Sequence, residues 1–311
     1  MEHYVTLFDS VFLPQGLALH ESLESHSGEF TLWVLCMDLE VYKVLSEMKP
    51  NNMRLIKLDD VITPELQQVK VGRTRAEFCW TCTPFAPRFV FEIDPAVRRV
   101  TYLDADLWFI KNPSIIFNEF EVSGKQVLIT HHGYTPEYDN STAVGHFCVQ
   151  FMTFLRDGSE GVRKWWEDRC IEWCYAFPED GKLGDQKYLD DWPQRFSDEV
   201  HVLQHKEWTL APWNAMRFPY GDAVLYHFHG LRLMNKDKVS IGGYILPPVL
   251  IQNIYRPYLI SLKRVCLRLK DIGFEPKFQH KYPGLLSVLR RKLGSIYAQR
   301  WRFIPQYFMD L

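Results

Sequence analysis

The sequence predicts an α/β fold with a central, mainly parallel sheet flanked by helices. Apolar segments rich in β-branched residues alternate with segments of helical spacing over the first sixty residues, and this β-α-β-α-β order is typical of open parallel sheets. Hydrophobic residues make up 47% of the 311 residues, which is enough for a substantial core and argues against extended disorder. Acidic residues follow two of the apolar segments, and such sheets bind ligands at the carboxyl ends of their strands.

Each element follows from its pattern of apolar residues. Short apolar runs bounded by turn residues predict strands, and apolar residues three or four apart predict helices. The predicted strands lie at 4–8, 30–36, 53–58, 100–103, 127–130, 145–155 and 223–226. The predicted helices lie at 17–23, 38–48, 85–91 and 162–177, and the tryptophans of the last helix are interpreted as core residues.

An acidic pair, Asp104 and Asp106, follows the strand at 100–103, and an apolar run resumes directly after it. Two carboxylates at the end of an apolar strand are costly unless a positive group neutralises them. Mg²⁺ and Mn²⁺ favour carboxylate oxygens, and residues two apart in an extended strand face the same way. The pair therefore predicts a divalent metal site. The alternative is a polar exit from the strand with solvated aspartates.

The chain contains no glycine-rich phosphate loop, because neither G-x-G-x-x-G nor G-x-x-x-x-G-K-[ST] occurs in it. This absence disfavours a dinucleotide-dependent dehydrogenase and a P-loop kinase. A protein that binds a diphosphate without such a loop needs another source of positive charge. A cation held by paired carboxylates provides one.

Polar residues in the second half extend the candidate site. Asp185 and Gln186 open a short predicted helix, where they either cap the helix or point into a cleft. Trp213 and Asn214 lie in a compact segment that could line a ligand.

Two histidines and an arginine follow the strand at 223–226. One imidazole of His227 and His229, together with the acidic pair, would form a ligand set suited to Mn²⁺. Arg232, just beyond, could pair with the same phosphates.

The seven cysteines have no disulfide-framework rhythm, which favours a reducing compartment. Cys79 and Cys82 have the spacing of a zinc or redox pair, and Cys170 and Cys174 lie four apart in the helix at 162–177. A structural zinc site made from these four is one interpretation. The other is that they are small buried hydrophobic residues.

Charge divides the chain into an acidic body and a basic tail. From residue 253 onward there are 12 lysines and arginines against 3 acidic residues, and the rest of the chain has 24 against 35. The tail has helical spacing at 259–270 and 285–301, with Arg290, Arg291 and Lys292 beside the second apolar stripe. It is either an ordinary helix packed on the body or a basic amphipathic helix on anionic lipid.

Three motifs in this order make the chain resemble the GT-A glycosyltransferases, and within them a family 8-like bacterial group of retaining sugar transferases. They are Tyr-Leu-Asp-Ala-Asp at 102–106, Gly-Asp-Gln at 184–186 and His-Phe-His-Gly at 227–230. The resemblance spans roughly residues 3–232. It implies the GT-A fold, a nucleotide-diphosphate sugar as the donor, with a UDP-sugar favoured, and Mn²⁺ or Mg²⁺ as the cofactor.

The resemblance also implies roles for individual residues. Asp104, Asp106 and His227 would hold the metal, and Asp185 and Gln186 would be the catalytic pair beside the donor sugar. The donor-binding residues it implies are Asp9, Asp104, Trp213, Asn214 and Arg232.

Two features of the chain depart from this group. The group usually has an asparagine and a glycine in the strand at 145–151, where Cys148 and Gln150 stand here. The Lys-Pro-Trp that normally follows the third motif is missing, and Arg232 is the candidate replacement.

We therefore expect a GT-A catalytic domain at 1–252, with a nucleotide- and metal-binding half at 1–120 and an acceptor half at 121–252. A basic helical C-terminal region follows at 253–311. The expected reaction transfers a sugar, with retention, to a glycan or lipid-linked acceptor in bacterial surface polysaccharide or lipopolysaccharide synthesis.

No signal peptide or membrane-spanning segment is predicted. We therefore expect a cytoplasmic protein that can attach to the cytoplasmic face of the inner membrane. The basic residues cluster in the tail and no aromatic-basic platform occurs, so nucleic-acid binding is not expected.

Two other functions stay open from the sequence. One is a metal-dependent nucleotidyltransferase or phosphoesterase, in which His131 and His132 would supply further ligands for a second metal. The other is a sugar-binding scaffold that kept the fold without catalysis.

Overall fold

A seven-stranded mixed sheet organises the protein, as seen in a computed structural model that describes residues 1–218, 220–244, 246–278 and 308–311. Its strands are β1 (Glu2–Phe8), β2 (Phe30–Cys36), β3 (Met53–Lys57), β4 (Arg99–Leu103), β6 (Val127–His131), β7 (Phe147–Leu155) and β8 (Val200–Val202). Short strands form two smaller sheets: β5 (Leu107–Phe109) with β9 (Thr209–Leu210) and β10 (Leu225–His227), and β11 (Arg232–Asn235) with β12 (Lys238–Ser240) and β13 (Phe308–Asp310).

The helices surround this sheet. They are α1 (Leu13–His26), α2 (Leu39–Met48), α3 (Leu58–Val61), α4 (Pro64–Lys70), α5 (Arg75–Cys82), α6 (Phe85–Ile93), α7 (Ser114–Ser123), α8 (Ser141–Val144), α9 (Glu160–Glu172), α10 (Trp192–Arg195), α11 (Pro248–Leu250) and α12 (Arg256–Asp271). A π-helical turn, Ile251–Tyr255, joins the last two.

The order of the large sheet is β3-β2-β1-β4-β7-β6-β8. Pairing is parallel from β3 to β4 and between β6 and β8, whereas β7 runs antiparallel to both of its neighbours. The predicted α/β class with a mainly parallel sheet is confirmed. Because β1 has β2 on one side and β4 on the other, the strand order reverses at β1, and ligands of open sheets bind in the crevice at such a point.

Hydrophobic cores cover both faces of the sheet. Val5 and Leu7 of β1 pack in one core with α5, α6 and α9, and Tyr4 and Phe8 pack in the other with α1, α2 and α7. This alternation is what a strand with two buried faces requires. Both cores therefore fix the position at which β1 ends.

The helix predicted at 162–177 is wrong at its C-terminal end. Helix α9 ends at Glu172, because Trp173 adopts an extended conformation with φ −154° and ψ 123°. Cys174 therefore lies outside the helix, and the chain continues through a loop that leads to Asp185.

The first helix predicted in the tail corresponds to α12. Seven of its residues are buried, and Glu21 of α1 accepts hydrogen bonds from Ser261 and Arg264. The second predicted helix, at 285–301, lies outside the described residues. Within the described ranges, no helix is long and apolar enough to cross a membrane.

A substitution at Gly16 tests how closely α1 packs on the sheet. A Cβ atom at this position would overlap the ring of Phe8, which is buried. Gly16→Ala should therefore lower the free energy of unfolding by about 1–3 kcal/mol, although alanine favours helix.

Gly161→Ala is the matched control, because a Cβ there meets nothing within 4 Å in a solvent-exposed turn of α9. It should raise stability by roughly 0.5–1 kcal/mol. Urea unfolding of both variants measures the difference, and equal effects of the same sign would contradict the packing.

Candidate functional site

The acidic pair lies in a turn between β4 and β5. Leu107 N donates to Asp104 O at 3.2 Å, so the extended geometry expected for the pair is wrong. Two further backbone bonds hold the turn, because Asp104 N donates to Gln150 O at 3.0 Å and Phe228 N donates to Asp106 O at 2.9 Å. The turn is therefore tied to β7 on one side and to the chain after β10 on the other.

This turn brings both carboxylates to the imidazole of His227. The Nε2 atom of His227 lies 3.0 Å from Asp106 Oδ1 and 3.7 Å from Asp104 Oδ2. One donor atom from each of the three residues lies within 4.8 Å of the others, and they form the one such group found among the described residues. Asp106 and His227 are buried, and Asp104 is half-buried. Three residues far apart in sequence thus converge on one point.

The surroundings of His227 suit a metal ligand. Its Nδ1–H donates to Gln150 Oε1 at 2.8 Å, which turns Nε2 toward the two carboxylates. An imidazole held through its other nitrogen is the usual arrangement around bound metal ions. Two carboxylate oxygens and one imidazole nitrogen fit Mn²⁺, and also Mg²⁺ with its preference for oxygen.

Burial and mutual charge shift the pKa values of the group. Burial raises the pKa of Asp104 to about 6 against the attraction of His227. Burial acts in the same direction on Asp106, but His227 holds the pKa of that carboxyl well below its usual range. The pKa of His227, which burial alone would lower, is raised well above its ordinary value by Asp106. The two carboxylates therefore attract a positive charge to the position of Nε2.

Asp185 lies close enough to this group for its charge to matter. It is buried, and Trp166 Nε1 donates to its backbone oxygen at 2.9 Å. Burial first, and then the charge of Asp104, raise the pKa of Asp185 to about 7. Gln186 is half-buried and precedes the 3₁₀ turn Lys187–Asp191. The structure thus brings Asp185 within reach of the charge of Asp104, while the role of Gln186 stays a prediction.

Arg232 and Trp213 border the same group. Trp213 packs edge-on against the His227 ring at 5.4 Å between centroids and donates from Nε1 to His132 O. The guanidinium of Arg232 lies 5.1 Å from the ring centroid of Phe12 and helps to lower the pKa of Asp106.

Asn214 has a supporting position. It is fully buried, and its Nδ2 donates to the backbone oxygens of His132 and Thr209. Its Oδ1 accepts from Ala211 N at 2.8 Å. The side chain therefore fixes the turn that carries Trp213, while its predicted contact with the donor stays a prediction.

Asp9 follows β1 and lies next to a cavity of about 460 Å³. Its Oδ1 accepts from Val11 N at 2.8 Å, and its Oδ2 pairs with Arg75 Nε at 2.5 Å. Arg75 also pairs with Asp38, and Lys277 donates to Ser10 Oγ at 2.7 Å across the cavity. Sequence reasoning missed Arg75 and Lys277, because neither lies in a motif or near Asp9 along the chain.

Two of the alternative metal ligand sets do not form in the described part of the chain. The four cysteines make no group of three or more converging ligands there, and burial raises the pKa of Cys79 to about 12 and that of Cys82 well above its ordinary value. His131 and His132 also lie outside the Asp104–Asp106–His227 group, and burial lowers their pKa values to about 4 and about 3.

Comparisons with known proteins bear on the fold. No protein-family model matches the chain. It is 29% identical over 287 residues to the uncharacterized protein YfnD of Bacillus subtilis, covering 84% of this chain and 89% of YfnD. It is 28% identical over 257 residues to the uncharacterized protein YfnF of the same organism, covering 76% of this chain and 84% of YfnF.

Among solved structures, the chain is similar to the bifunctional glycosyltransferase WbbM, with a TM-score of 0.54 and 11% identity. The likeness covers 89% of this chain and 52% of WbbM, so the chain spans about half of that protein. At this identity the likeness shows the fold alone. That fold is the GT-A type, as the sequence motifs implied, and membership of the family 8-like group stays a prediction.

Asp185→Asn tests the burial of this carboxyl. A carboxyl with a pKa of about 7 binds its proton more tightly in the folded state than in the unfolded state, where the ordinary value is 3.8. It therefore stabilises the fold at low pH, and this stabilisation is lost as pH rises from about 4 to about 7. In the presence of a chelator, the variant should gain stability over the wild type across this window, by up to the order of 4 kcal/mol.

Urea unfolding between pH 4 and pH 8 measures this gain, with Asp198→Asn at an exposed position as the control. A stability difference for Asp185→Asn that stays constant with pH would contradict the assigned environment.

Proposed function

We propose that this protein is a metal-dependent glycosyltransferase. It moves a sugar from a nucleotide-diphosphate sugar, with a UDP-sugar favoured, to a glycan or lipid-linked acceptor with retention of configuration. The observation that carries the proposal is the convergence of Asp104, Asp106 and His227 beside the point where the strand order reverses. The GT-A fold and the absence of a glycine-rich phosphate loop support it.

The residues of the site act at the two ends of the bond that breaks. One set acts on the diphosphate leaving group, and the other acts on the donor sugar. Asp104, Asp106 and His227 would hold Mn²⁺ or Mg²⁺, which would supply charge neutralisation for the diphosphate leaving group. Arg232 adds a fixed positive charge near Asp106, on the side where the leaving group gains negative charge.

Asp185 and Gln186 act on the donor sugar. Their carboxyl and amide groups bind its hydroxyls, and an ionised Asp185 stabilises positive charge on the sugar ring. A retaining transfer needs no strong protein base, because the departing phosphate oxygen can take the proton of the acceptor. Neither residue is assigned as a nucleophile.

The cavity at the end of β1 accounts for the rest of the donor. It adjoins Asp9, and Ser10, Arg75 and Lys277 line it with donors that suit a nucleoside. Asp9 is already oriented by two bonds, which favours its proposed role at the nucleotide base. Trp213 packs against the His227 ring, which favours its proposed contact with the donor.

The acceptor and the location are proposed from the C-terminal region. Basic and apolar residues share the exposed face of α12; they are Arg256, Ile260, Lys263, Arg264 and Leu267. A face of this kind suits anionic lipid, and the sequence of the tail continues the basic character. We propose attachment to the cytoplasmic face of a bacterial inner membrane, where lipid-linked glycans of surface polysaccharide or lipopolysaccharide are built.

The two rival functions are weaker. A two-metal nucleotidyltransferase or phosphoesterase needs further ligands, and His131 and His132 lie outside the ligand group. A non-catalytic scaffold does not account for three converging ligands together with a buried Asp185.

Removing a metal ligand is the direct test. Asp106→Ala and His227→Ala should each weaken Mn²⁺-dependent binding of UDP at least 10-fold, because each deletes one of three donor groups. Isothermal titration with metal and nucleotide measures this. His201→Ala is the control, since His201 of β8 pairs with Glu119 of α7 and does not contact the site.

Unchanged titrations of the two site variants would refute the metal centre. The donor can be identified by thermal shift with a panel of nucleotide-sugars and Mn²⁺. Sugar release that requires an acceptor supports the transferase, and nucleotide hydrolysis without an acceptor supports the phosphoesterase instead.

Charge reversal tests membrane attachment in the full chain. Changing Arg290, Arg291 and Lys292 to glutamate should reduce binding to phosphatidylglycerol vesicles at least 10-fold, because each basic residue near an anionic surface contributes about 1 kcal/mol. Flotation measures the bound fraction.

The matched control reverses three exposed lysines of the body, Lys43, Lys49 and Lys164. Equal binding of both triple variants, or equal binding of the wild type to phosphatidylcholine vesicles, would overturn this part of the proposal.

A further inference from the structure

Gln150 bonds to two of the three metal-ligand residues. It lies in β7 and is fully buried. Its Oε1 accepts from Nδ1 of His227 at 2.8 Å, and its backbone oxygen accepts from Asp104 N at 3.0 Å. One residue therefore fixes the turn that carries the carboxylates and the ring that faces them.

The side-chain bond decides which nitrogen of His227 holds the proton. A neutral imidazole has one N–H and one lone pair, and only the lone pair can bind a metal ion. Asp106 Oδ1 lies 3.0 Å from Nε2 and would draw the proton to that atom. An acceptor at Nδ1 holds the other proton in place, so the proton that leaves when a metal ion binds is the one on Nε2.

Within the described part of the chain, Nδ1 hydrogen-bonds to Gln150 Oε1. The thiol of Cys148 also contacts the His227 ring, but a thiol is a weak acceptor, and burial raises its pKa so that it stays neutral. Backbone and carboxylate oxygens often fill this place around metal-bound histidines. Here the side-chain amide of Gln150 fills it.

A glutamine at position 150 lowers the stability of the folded protein. Its Nε2 is buried and has no hydrogen-bond partner among the described residues. An unpaired buried donor costs about 1–3 kcal/mol, and an apolar side chain of the same size would avoid that cost. Violations of this kind are expected at functional sites.

We propose that Gln150 is a positioning residue that holds the ring of His227 through Nδ1, with Nε2 toward the two carboxylates, and thereby sets the metal affinity of the site. The proposal rests on the metal centre of the proposed function. It adds a residue outside the three ligands, and the residue acts through His227 without touching the metal.

The test compares two substitutions at one position. Gln150→Leu removes the acceptor at similar size and should weaken Mn²⁺ binding about 10- to 100-fold. Gln150→Glu keeps an oxygen acceptor and should recover most of that loss. Gln150→Met serves in place of the leucine variant if the latter does not fold. Mn²⁺ titration followed by electron paramagnetic resonance gives the affinities.

Thr153→Val is the matched control. Thr153 lies in the same strand, is fully buried, and shares a hydrogen bond of 2.9 Å with Thr101. Its loss should lower stability without changing Mn²⁺ affinity. Equal affinity losses in Thr153→Val and Gln150→Leu would overturn the proposal, because both would then reflect general destabilisation.

The protonation of the ring in the Mg²⁺-loaded protein gives a second readout. In protein labelled with ¹⁵N-histidine, the signal absent from His227→Ala identifies the ring. With Mg²⁺ bound, the wild type should show a proton on Nδ1 and none on Nε2, and Gln150→Leu should shift this signal at the same Mg²⁺ concentration. An unshifted signal with wild-type Mn²⁺ affinity in Gln150→Leu would overturn the role of Gln150 alone. Wild-type affinity in His227→Ala would instead remove the metal centre itself.

Discussion

The rest of this structure depends on one constraint. Two carboxylates are held against one imidazole at a largely buried site. The donor atoms lie within 4.8 Å of one another, and burial makes any uncompensated charge among them costly. Without a cation, Asp106 raises the pKa of His227, and burial raises the pKa of Asp104 to about 6. The two carboxylates repel each other, so the backbone must hold them in place. The β4–β5 turn, the segment after β10 and β7 provide that restraint through main-chain hydrogen bonds that do not depend on the protonation of the side chains.

The loop that carries Asp185 is subject to the same electrostatic constraint. Asp185 is a further buried carboxyl within reach of the Asp104 charge, so electrostatics alone would push the loop outward. Two anchors oppose this. Ala176 N donates to Glu77 Oε1 at 2.8 Å, and Glu77 is itself fixed by the capping box that begins α5. Trp166 then holds the backbone of Asp185. Stabilising contacts at α5 and α9 thus offset repulsion at the site.

Part of this arrangement could be predicted from the sequence. The strand at 30–36 was predicted with its observed bounds, because a run buried on both faces is uniformly apolar. Polar residues directly after apolar strands indicate the site; they are Asp104, Asp106 and His227. Other features left no local signal. The loop after α9 looked helical because Trp173 keeps the helical spacing, although its backbone is extended. Arg75 and Lys277 reach the cavity through tertiary contacts that no local pattern records.

In the sequence, Gln150 is only a departure from a motif. The topology explains why the sequence does not indicate its contact with His227. In a parallel sheet the residues near a ligand come after the strands, so polar residues inside a strand attract no attention. Strand β7 runs antiparallel to β4, which places its first half at the carboxyl end of β4, where Leu103 pairs with Phe151. The β6–β7 register also shifts between Leu128 and Thr130. Irregularities of this kind redirect side chains near functional sites. A residue in the middle of an apolar strand thus hydrogen-bonds to His227, which follows from the order and direction of the strands and from no local sequence pattern.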